Sequence, residues 1–216
     1  MRWLIMVAVL VAISASAASE ASGAVVDPAI VIRFYPSIAT EDFGGVRQLA
    51  GDILGAAGIS VSWRHCGRPG SEQQREPIAD PCRHAPSANE VMLHLVPATD
   101  GNADLHRHSL GFSLIDPQTA TGKVAKVYAD RVASLAHGAG ADPARLLARA
   151  IAHEIGHLLL GNSRHSDRGL MRAVWSREEL RRNSPGDWVF SEEEAHQIAA
   201  RFLVSVERQR LWISPR

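Results

Sequence analysis

The chain has 216 residues, 46% of them hydrophobic, with 23 basic and 23 acidic side chains and a formal net charge of zero. That length suffices to bury a sizeable core as one domain. The even charge balance, with no long basic run, leaves no electrostatic footprint for nucleic acid, which is excluded as a partner.

Residues 1–23 read as a leader rather than as part of the fold. Arg2 gives a positive start, residues 3–13 an apolar run, and Ala15-Ser16-Ala17 a small-residue cleavage site, the pattern of a secretory signal peptide. An apolar run of that length is too short for a comfortable membrane span, though an uncleaved anchor is the alternative. With no cysteine near the cleavage site, a lipid anchor is not indicated. The expectation is an exported chain, secreted or periplasmic, with no stable membrane insertion once the leader is gone. The remainder, residues 24–216, is read as one domain, with an N-terminal subdomain over 24–161 and a C-terminal one over 162–216.

Residues 29–35 are mostly apolar between Pro28 and Pro36 and predict a first strand. Residues 40–57 predict a helix with an apolar stripe of Val46, Leu49, Ala50, Ile53, Leu54 and Ala57, ended by Gly58. Residues 59–63 alternate as a second strand. Cys66 and Cys82, the only cysteines, are expected to pair in an exported chain, closing a loop rich in Gly, Pro and charge. Such a bridge contributes on the order of 3 kcal/mol through loop-closure entropy. Free thiols, or joint use as zinc ligands, are the alternatives.

Residues 90–96 predict a third strand, with Val91, Leu93 and Leu95 on one face. Residues 97–108 are polar and predict a loop. Residues 110–115 and 123–129 predict a fourth and a fifth strand. A helix over 130–137 follows, with Gly138 and Gly140 interrupting it. Asp142-Pro143 is a helix cap and first-turn pair, so 143–160 predicts a helix stopped by Gly161. Ser191-Glu192-Glu193-Glu194 is a capping box that opens a helix to about residue 209, with Ala195, Ile198, Ala199, Phe202, Leu203 and Val206 on its buried face.

The chemistry is concentrated in Ala150-Ile151-Ala152-His153-Glu154-Ile155-Gly156-His157-Leu158-Leu159. Histidines at i and i+4 sit one above the other on a helix, with side-chain roots about 5–6 Å apart. That spacing lets two imidazoles grip one zinc ion. Glu154 points to the side of the pair, placed to touch water at the metal rather than the metal itself, the H-E-x-x-H arrangement with glutamate as general base. The other positions of this stretch are uncharged, so the helix is largely buried, and buried His and Glu need partners.

From these residues the chain resembles the metzincin clan of zinc peptidases, whose motif is H-E-x-x-H-x-x-G-x-x-H followed by a methionine turn. His153, Glu154 and His157 match the first five positions. Gly161 lies one residue later than the pattern asks, and the third histidine is His165, eight residues after His157 rather than six. Met171, in Arg168-Gly169-Leu170-Met171, is the candidate for the turn beneath the metal. The longer spacing keeps Asp167, Glu178 and Glu179 open as alternative third ligands, the last two within Ser176-Arg177-Glu178-Glu179-Leu180, which can start a helix.

The resemblance implies an α+β, zincin-like fold: a twisted mixed sheet of four to five strands, a backing helix, an active-site helix and a small C-terminal helical subdomain. It also implies a zinc-dependent endopeptidase acting on peptide or protein substrates. Zn2+ would be held by His153, His157 and His165, with Glu154 as catalytic base. The rival from another class is a non-catalytic, zinc-stabilised secreted binding domain, against which the position of Glu154 counts. The other histidines read as solvated or ordinary, with a second ion at His106 and His108 as the one alternative. Tyr128 reads as core or an oxyanion donor, and Trp175 or Trp188 as packing or a pocket wall.

Overall fold

A computed structural model describes residues 29–38, 43–67, 81–99 and 109–213, the side chains of 203 and 205–213 excluded. The predicted leader and His106 and His108 lie outside the described residues. In chain order the elements are β1 (Ala29–Pro36), α1 (Phe43–Gly55), β2 (Ser60–His65), β3 (Glu90–Val96), β4 (Gly111–Asp116), β5 (Thr121–Tyr128), α2 (Ala129–Ala139), α3 (Pro143–Leu160), α4 (Arg177–Arg182), a 3-10 turn (Pro185–Trp188) and α5 (Glu192–Ile213).

The five strands form one mixed sheet in the order β2-β1-β3-β5-β4. β1 pairs in parallel with β2 and β3, β3 in parallel with β5, and β4 antiparallel with β5. Parallel neighbours need a crossover, and α1 supplies it between β1 and β2. α1 contains four glycines, each costing about 1 kcal/mol against alanine in a helix. Burial of Val46, Ala50, Ile53 and Leu54 against the sheet and α3 offsets that weak propensity.

One face of the sheet is apolar. Ile30, Ile32 and Phe34 of β1, Val91, Leu93 and Leu95 of β3, and Ala125 and Val127 of β5 join Leu146, Ile151 and Ile155 of α3 in a single core. Full burial stabilises each Leu or Ile by about 1.5–3 kcal/mol, so α3 is fixed on the sheet by many such contacts. Asp142 caps α3, its side chain accepting from the Ala144 and Arg145 amides at 2.9 and 3.2 Å.

The opposite face carries charge. Arg33 of β1 is buried and ion-paired with Glu90 of β3, and Arg64 of β2 pairs with the same carboxylate. Arg33 Nη1 also donates to the His84 carbonyl at 2.7 Å, drawing the segment after Cys82 over the sheet. Burial pushes the Glu90 carboxyl up, but hydrogen bonds from Arg33, the Ser87 amide and Arg64 outweigh it and hold it at about 2. Cys66 and Cys82 are disulfide-bonded, with Cα atoms 5.7 Å apart.

Several boundaries differ from the sequence reading. α1 ends at Gly55 rather than at residue 57, because the Ala57 amide bonds the Leu54 carbonyl and tightens the chain into a turn. β2 runs on to His65, carried by the pairing of Arg64 and His65 with Arg33 and Phe34. α2 continues through Gly138 and stops at Gly140, whose amide bonds back to the last helical carbonyls. α5 extends to Ile213.

Beyond Gly161 the chain crosses back under α3. Trp188 is buried there, with the Arg149 guanidinium of α3 lying 3.8 Å from its ring centroid. Among the described residues, no helix is long and apolar enough to cross a membrane.

Candidate metal centre

Helix α3 brings His153 and His157 together through its own geometry. Nε2 of one lies 3.1 Å from Nε2 of the other, and both side chains are buried. Each Nδ1 faces a backbone carbonyl, His153 that of Leu170 at 2.9 Å and His157 that of Asn162 at 3.0 Å. A carbonyl can only accept, so each Nδ1 carries the proton. Burial, the neighbouring His157 and His165 lowering it further against the Leu170 bond, pushes His153 down to about 3. Burial likewise pushes His157 down to about 4. Both rings are therefore neutral at pH 7, and two lone pairs point at each other. A shared cation resolves that repulsion, and carbonyl-anchored Nδ1–H groups are the usual orientation of metal-binding imidazoles.

The third imidazole arrives from the loop after the helix. Gly161, at φ +65°, caps α3 in the left-handed region and turns the chain back, its amide bonding the His157 carbonyl at 2.9 Å. Asn162 Oδ1 then accepts from the Arg164 amide at 2.9 Å, an Asx turn that absorbs chain length before His165. The His165 ring centroid lies 4.9 Å from that of His157 and 5.4 Å from that of His153. One ligating nitrogen from each of the three lies within 4.8 Å of the others. His165 is the exposed member of the set, so the cluster opens to solvent on its side. Three imidazoles with an open side suit a zinc ion that keeps a fourth position for a small ligand.

The carboxylates behave differently. Glu179 accepts from the Ser176 amide at 2.7 Å and is ion-paired with Arg172, closing the capping box of α4. Asp167 and Glu178 are exposed. Among the described residues the metal-competent group contains the three histidines alone. Met171 is fully buried and directly follows Leu170, whose carbonyl orients His153. Trp175 stands edge-on to His153, ring centroids 5.5 Å apart, and edge-on to Trp188 at 5.4 Å. Tyr128 packs with Val96 and Phe112 in a separate small buried cluster.

Glu154 is buried on α3 beside the edge strand β4. Ser113 Oγ lies 2.7 Å from its Oε2. Burial raises the carboxyl to about 7 against the lowering effect of that hydroxyl. Gly111, two residues earlier on the same face of β4, makes the room: a Cβ there would stand 2.9 Å from Glu154 Oε1 and 2.6 Å from the Lys126 carbonyl oxygen. Neither Gly111 nor Ser113 is marked by any local motif. Pleating puts positions 111 and 113 on the face that α3 covers, but the apolar Phe112 and Leu114 lie on the other face, so the pattern of β4 gives no signal for them.

No protein-family model matches the chain, and no curated protein matches it. Among solved structures, an archaemetzincin from Methanopyrus kandleri is similar at 16% identity, with a TM-score of 0.48 over 81% of this chain and 96% of that one. A zinc-dependent peptidase from Methanocorpusculum labreanum (strain Z) is similar at 19% identity, with a TM-score of 0.49 over 78% of this chain and 99% of that one. The chemistry of the site rests on its own geometry.

Proposed function

We propose that this protein is an exported zinc-dependent endopeptidase in which His153, His157 and His165 hold the ion and Glu154 is the general base. The observation that carries this reading is the pair of carbonyl-anchored, neutral imidazoles with Nε2 atoms 3.1 Å apart, joined by a third imidazole and flanked by a buried carboxyl. Zinc bound there would polarise a substrate carbonyl and lower the pKa of water at the site towards about 7.

The chain's own residues supply the rest. As a water oxygen bonds to the scissile carbonyl carbon, Glu154 takes its proton. The same proton passes to the amine nitrogen as the carbon–nitrogen bond breaks. Ser113 and the cleft beside Gly111 hold the carboxylate in one rotamer during both transfers. β4 lies at the edge of the sheet, immediately beside Glu154. An extended peptide can lie along such an edge through main-chain hydrogen bonds, with no need to recognise a terminus, and this supports an endopeptidase. The leader-like residues 1–23 and the Cys66–Cys82 bridge support export. A closed, purely structural zinc site would take a fourth protein ligand, and the described residues group only three.

The test is hydrolysis of internally quenched peptides by the purified mature protein. Activity is expected to vanish with a chelator and return with zinc. Hydrolysis that persists in the metal-free protein would overturn the reading, as would a zinc-loaded protein inert towards a broad peptide library.

A further inference from the structure

His165 poses a mechanical problem. It is exposed, and it sits on a loop rather than on the rigid helix that carries the other two histidines. A ligand placed on a loop binds well only if supporting contacts fix the loop.

Both ends of that loop are tied to α5. At the near end, Arg201 Nε donates to the Leu159 carbonyl at 3.0 Å, satisfying an orphan carbonyl in the last turn of α3. The same guanidinium donates to the Ala120 carbonyl in the β4–β5 turn. At the far end, Ser166, the residue after His165, donates its hydroxyl to Glu194 Oε1. Glu194 is 7% exposed, and its other oxygen accepts from the Ser191 amide at 2.7 Å. Both oxygens are engaged, and among the described residues the metal-competent group does not include Glu194, so it is a holder and not a ligand. Glu194 and Arg201 are seven residues apart on one helix, about two turns, and so share a face. The Ser166 amide also donates to the Met171 carbonyl at 2.8 Å, fixing the loop to the residue beside Leu170, which orients His153.

We infer that α5 braces the third ligand: Glu194, acting through Ser166, is the positioning residue that holds His165 at the metal. The inference rests on the three-histidine reading. A charged acceptor suits the task, because a charge-assisted bond is about twice as strong as a neutral one. The capping box of α5 thus has a second role, since its glutamate both starts the helix and reaches the metal loop.

The experiment measures zinc affinity of the mature chain by competition with a chromophoric chelator, in a cycle of wild type, Ser166→Ala, His165→Ala and the double variant. Ser166→Ala is expected to weaken zinc about tenfold, the low end of what supporting contacts contribute, and Ser166→Thr to retain most of the affinity. In the His165→Ala background, Ser166→Ala is expected to change nothing further. Glu194→Gln, which keeps an acceptor oxygen and the fold, is expected to give a smaller loss that likewise disappears in the His165→Ala background. Equal losses in both backgrounds, or no loss from Ser166→Ala where His165→Ala does weaken zinc, overturn the brace alone. Unchanged affinity in His165→Ala removes the three-histidine reading and the brace together.

Discussion

The Ser113 hydroxyl on β4 stands 2.7 Å from Glu154 Oε2 on α3, joining the edge of the sheet to the buried carboxyl proposed as the general base. The same oxygen is 2.7 Å from the Glu154 backbone carbonyl, and one proton serves both. The carboxylate is the stronger acceptor, so ionisation of Glu154 draws the proton to it. A hydrogen bond to a charged group contributes about 1.5–3 kcal/mol. Ser113→Ala is expected to lower kcat about tenfold or more while zinc content stays at the wild-type value, as read by steady-state kinetics and metal analysis. Loss of zinc in parallel would show that Ser113 holds the metal helix rather than the base.

Gly111 is predicted to tolerate no side chain. A Cβ would stand 2.6 Å from the Lys126 carbonyl, part of the neighbouring strand, and 2.9 Å from Glu154 Cγ. The backbone contact cannot be relieved by a rotamer change, so Gly111→Ala is expected to cost about 1–3 kcal/mol, as overpacking does. Thermal unfolding measures the cost, and peptide hydrolysis should fall further than the stability loss explains. An alanine variant with wild-type melting and activity would mean that β4 and α3 are less closely packed.

The α3 cap gives a contrasting case, with stability changed and chemistry spared. Asp142 accepts from the Ala144 and Arg145 amides at 2.9 and 3.2 Å, far along the helix from His153. Asp142→Ala should cost about 1 kcal/mol in urea unfolding. Turnover well below the melting temperature should be unchanged.

Acid sensitivity should come in part from the charged face of the sheet. Glu90 is held at about 2, below its ordinary 4.5, so folding favours its ionised form. That contribution is complete above 4.5 and is lost as the pH falls through about 2. Glu90→Gln should therefore be less stable than wild type near neutral pH, and the gap should narrow as acid is added. Urea unfolding at several pH values checks this. A gap that stays constant down to pH 2 would contradict the ion-pair account.

How much of this was legible depends on the range of each signal. α3 was readable at both ends, Pro143 to Leu160, because Asp142, Pro143 and Gly161 act within a turn of the residues they cap. β3 was readable because Val91, Leu93 and Leu95 fall at every second position and make one apolar face. β2 was read too short, since Arg64 and His65 are polar and belong to the strand only through pairing with β1. In the same way, the His153–His157 spacing is a property of one helix and visible in five letters. Ser113 lies 41 residues from Glu154, and Ser166 lies 28 from Glu194. Nothing local in the chain announces such partners, because packing of separate elements creates them. His165 is intermediate: its residue type suits a metal, but its approach to His153 and His157 depends on the turns at Gly161 and Asn162.

The central claim is that Glu154 acts on the reaction and not on the ion, and the metal content of Glu154→Gln tests it most directly. Elemental analysis of wild type, Glu154→Gln and His153→Ala, each dialysed against the same weak chelator, separates ligand from base. The account predicts about one zinc per chain in wild type and in Glu154→Gln, and little in His153→Ala. It also predicts hydrolysis by Glu154→Gln reduced by about 10²–10⁴-fold, the usual contribution of a general base. A Glu154→Gln protein that loses zinc as readily as His153→Ala, or one that keeps its zinc and still cleaves peptides at the wild-type rate, would contradict it.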